Sequence, residues 1–117
     1  LVEDEDVVRN LAARILRDRG YAVLTARNGQ EAYDMLLRDG RDIRLVLTDL
    51  VMPIMSGRTL AEKVRQSHPE IGVLFMSGYT DDDIIKQGVA ESEIAFLQKP
   101  FTSDILLRKV RETLDAA

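Results

Sequence analysis

Leu45-Val46-Leu47-Thr48 is an unbroken apolar and β-branched run of strand length, closed by an acid, Asp49. A strand with one wet face alternates apolar with polar residues. An unbroken run belongs to a strand covered on both faces, as parallel strands are when helices flank their sheet. Ile71 to Met76 is a second such run, and Ile94 to Gln98 gives a further strand. Leu1-Val2, directly followed by Glu3-Asp4-Glu5-Asp6, reads as the tail of a first strand whose beginning is missing, so a fragment of a longer chain is expected.

Helical periodicity fills the intervals. Val8, Leu11, Ala12, Ile15 and Leu16 follow the i, i+3, i+4, i+7, i+8 pattern of a helix with one buried face. Gly20 stops it as a C-cap. Tyr21 to Thr25 is a short strand, after which Asn28 caps a second helix, answered by Glu31, with Ala32, Met35 and Leu36 inward. Past Asp49, a turn through Met52-Pro53 and Ser56-Gly57 opens a helix with Leu60, Ala61 and Val64 inward. His68-Pro69 ends it, since the residue before proline avoids helical geometry. Asp81 to Val89 reads as a short, weakly patterned helix, and Ser103 to Ala116 as a final one with Leu106, Val110 and Leu114 inward.

Strict alternation of strand and helix implies an α/β, doubly wound fold with right-handed crossovers and helices on both faces of a parallel sheet. At 117 residues the chain suits one domain with a single site. A net charge of −4 and the lack of a Lys/Arg stripe argue against direct nucleic-acid binding. The absence of cysteine excludes disulfides and thiolate zinc sites. No apolar run approaches the ~18 residues of a membrane span. A cytoplasmic domain without membrane contact of its own is expected, within a parent chain that could be membrane-anchored.

Ligands of doubly wound sheets bind beyond the carboxyl ends of the strands. Those ends carry Glu3-Asp4, Asp49, the Ser77 hydroxyl and Lys99. Singly, each has an ordinary explanation: acids complement a helix dipole, an Asp closes a turn, a lysine is solvated. Together they are harder to dismiss, because each close carboxylate pair costs about 4 kcal/mol at an effective dielectric near 20. A hard cation such as Mg²⁺ would compensate, holding one or two carboxylates, waters and phosphate oxygens. One aspartate left as nucleophile, a hydroxyl and a lysine complete a plausible phosphoryl-transfer site.

In order and spacing, Leu1-Val2-Glu3-Asp4, Leu47-Thr48-Asp49-Leu50-Val51-Met52-Pro53 with Gly57, Met76-Ser77-Gly78-Tyr79 and Lys99-Pro100-Phe101 resemble the receiver domains of two-component response regulators, over essentially the whole chain. The resemblance implies that residues 1–117 form one receiver domain with a truncated first strand. Its fold would be flavodoxin-like, a five-stranded parallel sheet of order 2-1-3-4-5 flanked by five helices. It implies Asp49 as phosphoacceptor, Asp4 as a direct Mg²⁺ ligand, Glu3 acting largely through bound water, and Val51 as a ligand through its backbone carbonyl. Lys99, before a cis proline, would pair with the phosphoryl oxygens, Ser77 would hydrogen-bond the phosphoryl group, and Phe96 would be the switch aromatic.

Two positions depart from the common family pattern. Phe96 carries no phenolic hydroxyl, and Gly78 stands where a small alanine-type residue is usual, which loosens the loop. Val51 and Tyr79 occupy positions where several members place amide or acid groups that orient the hydrolytic water, so slow self-dephosphorylation is expected. His68, without kinase motifs around it, reads as a surface residue, and Met52, Met55 and Met76 as packing residues.

The implied partners are a phosphohistidine kinase or phosphotransfer protein as donor, and a downstream protein on the face of the fourth helix, fifth strand and fifth helix. A homodimer is left open. The domain is expected to be a self-catalysing acceptor rather than an enzyme. Phe75-Met76-Ser77-Gly78-Tyr79-Thr80-Asp81-Asp82 and Phe96-Leu97-Gln98-Lys99-Pro100-Phe101-Thr102 are most similar to receivers attached to hybrid sensor histidine kinases. The alternatives are a stand-alone regulator or, from another class, a Mg²⁺-dependent phosphohydrolase. The latter would want an acid where Val51 stands.

Overall fold

The computed structural model describes residues 1–78 and 95–116. Among these are helices α1 (Asp6–Asp18), α2 (Gly29–Asp39), α3 (Gly57–Ser67) and α4 (Ser103–Ala116), with a 3-10 turn at Gly40–Asp42. Strands β1 (Leu45–Asp49), β2 (Gly72–Ser77) and β3 (Ala95–Gln98) pair in parallel in that order. The fold is thus α/β about a parallel sheet, as the alternation predicts. The expected helix over Asp81 to Val89, and with it part of the expected partner face, lies outside the described residues, as do Tyr79 and Ile94.

The expected first strand is present only as bridges at Val2, to Ala26 and to Thr48, both parallel, and the strand expected over Tyr21 to Thr25 does not form: its pairing is the single bridge at Ala26, one residue beyond. The available groups do pair: Ala26 N–H donates to Leu1 O (2.9 Å) and Glu3 N–H to Ala26 O (3.0 Å). On the other side Val2 N–H donates to Leu47 O (2.8 Å) and Asp49 N–H to Val2 O (2.9 Å). Ala26, Val2, β1, β2 and β3 therefore follow one another as the order 2-1-3-4-5 requires, with ladders of strand length confined to the last three.

The unbroken apolar run of β1 has its explanation in the layers. Val46 packs with Leu36, Leu60, Val64 and Ile71 under α2 and α3. Leu47 packs with Ala12, Leu16, Leu74, Leu97, Leu106 and Val110 under α1 and α4. Each Val, Leu or Ile side chain so buried contributes about 1.5–3 kcal/mol.

The helix ends follow their local chemistry. Gly20 adopts φ +92° and donates its N–H to Arg17 O (3.0 Å), a left-handed stop natural to glycine. Asn28 accepts from Glu31 N–H (2.8 Å), and Ser56 from Thr59 N–H (3.2 Å). α3 ends at Ser67 with His68 as its cap, directly before Pro69.

Two expectations need correction. Leu11 is exposed, because the inward stripe of α1 is Ala12, Ala13 and Leu16, and residues about 100° apart on a helix leave Leu11 at its rim. His68 is half-buried rather than superficial. Its ring lies against Gly40, where a Cβ would come within 2.5 Å of Nε2, and Nδ1 is 2.8 Å from Ser67 Oγ. Met52, Met55 and Met76 are core residues, as expected.

Candidate functional site

β1 carries Asp49 to the edge of the sheet, where it is buried and its backbone is held from two sides. Its own N–H donates to Val2 O, and the next N–H, of Leu50, donates to Met76 O (3.0 Å). The loop after it returns against the strand so closely that a Cβ on Gly57 would lie 2.1 Å from Asp49 O. Gly57 N–H also donates to Leu50 O (2.9 Å). No residue with a side chain fits there without moving the backbone of Asp49.

The bridge at Val2 delivers Glu3 and Asp4 to the same edge. Glu3 is wholly buried and Asp4 exposed. Carboxylate oxygens of Glu3, Asp4 and Asp49 all lie within 4.8 Å of one another. Lys99 comes from the opposite end of the sequence, its N–H donating to Ser77 O (2.9 Å) and the Lys99-Pro100 peptide cis. Its ammonium donates to Glu3 Oε1 and stands 3.4 Å from Asp49 Oδ2.

The electrostatics follow from burial and mutual repulsion. Burial pushes the Glu3 carboxyl up to about 7; the Lys99 hydrogen bond opposes this, and Asp4 and Asp49 add to it. Burial also raises Asp49, against the pull of Lys99. Burial alone would lower Lys99, but its bonds to Glu3 and Asp49 outweigh that and raise it. One ammonium thus partly compensates three acids. The set remains electron-rich and made of hard oxygen donors, a donor set that suits Mg²⁺.

Ser77 is buried at the carboxyl end of β2, opposite Gln98 in the ladder. Phe96 is half-buried against the small cluster of Leu50, Ala61 and Phe75. Val51 is 37% exposed in the loop after Asp49. The fold therefore brings Glu3, Asp4, Asp49 and Lys99 together, joins Ser77 to Lys99 through the backbone, and packs Phe96 against Leu50, Ala61 and Phe75.

Two participants escape the sequence reading. The first is the Glu3–Lys99 pair, which no local spacing reveals. The second is Arg9, whose Nη1 donates to Glu3 O (2.9 Å). A charged residue on a helix reads as solvated, and the one hint was its place a turn into α1 behind four consecutive acids.

Known proteins resemble this chain over most of its length. A profile of the Response regulator receiver domain family matches residues 1–111. Sensor kinase CckA of Brucella abortus is 41% identical over 115 residues, spanning 98% of this chain and 12% of that protein. Response regulator receiver protein CpdR of the same organism is 31% identical over 117 residues, spanning 100% of this chain and 96% of that one. Among solved structures, the receiver domain of the hybrid histidine kinase CckA superposes with a TM-score of 0.81 at 39% identity, covering 97% of this chain and 94% of the other. No helix among the described residues is long and apolar enough to cross a membrane.

Proposed function

The chain belongs to the receiver domain family of two-component response regulators, whose general function is phosphorylation on an aspartate, and on that premise we propose that Asp49 is the aspartate. Receiver domains are not enzymes in themselves; they act with histidine kinases or phosphotransfer proteins and with downstream effectors. The observation that carries the assignment is the convergence of the Glu3, Asp4 and Asp49 carboxylates under the Lys99 ammonium.

In this reading an Asp49 carboxylate oxygen attacks the phosphorus of a phosphohistidine. An O–P bond forms, the P–N bond breaks, and the released imidazole takes up a proton. Mg²⁺ would be held directly by Asp4 and Asp49, by Glu3 largely through water, and by the Val51 backbone carbonyl, and it would supply charge neutralisation at the phosphoryl oxygens. Lys99 releases Glu3 to pair with those oxygens, a task suited to a compact ammonium on a flexible stem. The Ser77 hydroxyl would hydrogen-bond the phosphoryl group, and Phe96 would turn inward as the switch aromatic. The new charge biases an existing equilibrium between two surfaces that partners read.

Similarity to CckA supports a receiver within a hybrid sensor histidine kinase. The match to CpdR over nearly its full length favours a second reading, a regulator acting alone. A phosphohydrolase is disfavoured by Val51, which offers no second acid.

The test is intact mass after incubation with Mg²⁺ and a small phosphoramidate donor. One metal-dependent phosphoryl adduct, absent from Asp49→Asn and from a chelated sample, is the expected result. An adduct that persists in Asp49→Asn would overturn the assignment.

A further inference from the structure

We infer that Arg9 is a positioning residue for the acidic turn, setting how tightly the carboxylate cluster binds a divalent cation. The inference rests on the reading of that cluster as the Mg²⁺ site.

Arg9 lies in α1, yet its side chain is only 11% accessible. It also pairs with Asp6, but Asp6 is 76% exposed, and an exposed pair of this kind contributes little. That pair could form with the arginine in solvent, so it does not account for the burial. What the buried position achieves is the bond from Nη1 to the Glu3 carbonyl.

The same turn is held by two further bonds. Arg9 N–H donates to Glu5 O (2.9 Å), and Glu5 N–H donates to Glu3 Oε2 (3.3 Å). Arg9 therefore grips the Glu3–Asp4–Glu5 segment by both backbone and side chain. The Glu3 carbonyl belongs to the peptide that leads into Asp4, so fixing it fixes the direction from which the Asp4 carboxylate meets Asp49. A guanidinium in this place also offsets the repulsion among four consecutive acids while bonding the Glu3 carbonyl rather than the clustered carboxylate oxygens of Glu3, Asp4 and Asp49. Groups that orient metal ligands in this indirect way commonly matter about 10- to 100-fold in affinity.

The experiment compares Mg²⁺ affinity by calorimetry, and the thermal shift Mg²⁺ produces, for the parent chain, Arg9→Ala, Arg9→Lys, Asp6→Ala and Asp49→Asn. Arg9→Ala is expected to weaken binding about tenfold, at the lower end of that range, and to shrink the thermal shift. Arg9→Lys, which keeps one donor for one acceptor, should fall between alanine and parent, and it serves as the probe if alanine does not fold. Asp6→Ala removes the exposed pair alone and should bind within about twofold of the parent, since exposed pairs contribute little. Unchanged affinity in both Arg9 variants, with Asp49→Asn impaired, would overturn the role of Arg9. Parent-like affinity in Asp49→Asn would instead overturn the metal-site reading beneath it.

Discussion

Lys99 and Glu3 are 96 positions apart in sequence and bonded through their side chains inside the acid cluster. The ammonium also stands 3.4 Å from Asp49 Oδ2, and under the proposed function it exchanges partners when a phosphoryl group arrives.

Lys99→Ala is therefore expected to leave three carboxylates without a counter-ion. Breaking a fully buried pair costs about 3–5 kcal/mol. With 15% of the Lys99 side chain in solvent, a loss of about 2–3 kcal/mol is expected in metal-free protein. Added Mg²⁺ should restore more stability to this variant than to the parent, and phosphoryl acceptance should fall. Urea unfolding with chelator and with Mg²⁺ checks the first two; an equal response of both chains to Mg²⁺ would contradict them.

The raised Glu3 carboxyl makes stability depend on pH. Its folded value of about 7 lies above the ordinary 4.5, so between them the folded chain binds more protons than the unfolded one. Stability from this source is complete below about 4.5 and lost as pH rises through 7. Asp49, also raised, acts in the same direction. Metal-free protein should lose about 1–2 kcal/mol between pH 5 and 7.5, a figure reduced for partial contact with solvent. Glu3→Gln should flatten the profile of unfolding midpoints.

Gly57→Ala places a Cβ within 2.1 Å of Asp49 O, a backbone atom that cannot swing aside. Overpacking commonly costs about 1–3 kcal/mol, and the upper part of that range is expected. The shift falls on the strand that carries Asp49, the proposed acceptor, so the variant should also accept phosphoryl groups more slowly at temperatures where it is folded. Circular dichroism and phosphorylation rates read the two effects separately.

Ile54 adopts φ +72° and is 80% exposed, and Met55 N–H donates to Pro53 O (2.8 Å) across it, closing a γ-turn. A β-branched residue pays strain there and gains little packing in return. Ile54→Gly should stabilise the chain by about 0.5–1 kcal/mol, the relief of strain exceeding the added freedom of the unfolded state. A lower unfolding midpoint would show that the isoleucine is held by contacts that outweigh its strain.

Val51, two residues beyond Asp49 and 37% exposed, offers no group to orient an attacking water. Val51→Asn should shorten the lifetime of the phosphorylated form, followed as decay of the adduct mass after donor removal. An unchanged lifetime would remove the basis for expecting slow self-dephosphorylation.

Much of this was written locally. The run Leu45 to Thr48 announced a strand covered on both sides, since only burial on two faces tolerates such a sequence, and Val46 and Leu47 do face separate cores. Asn28, Gly20 and His68-Pro69 marked helix ends because capping and proline sterics act over a few residues. The strand-end positions of Glu3, Asp49, Ser77 and Lys99 followed from the same alternation.

Tertiary structure alone decided the rest, because those facts depend on atoms brought together from distant parts of the chain. Leu11 lost its place in the core to Ala13 once α1 settled on its neighbours. Gly57 proved necessary through its approach to Asp49 O rather than through any unusual backbone angle. Which cation answers Glu3, and that Arg9 turns back onto the Glu3 carbonyl, were set by packing and desolvation. Periodicity encodes which face of an element is buried, but not which partner it meets there.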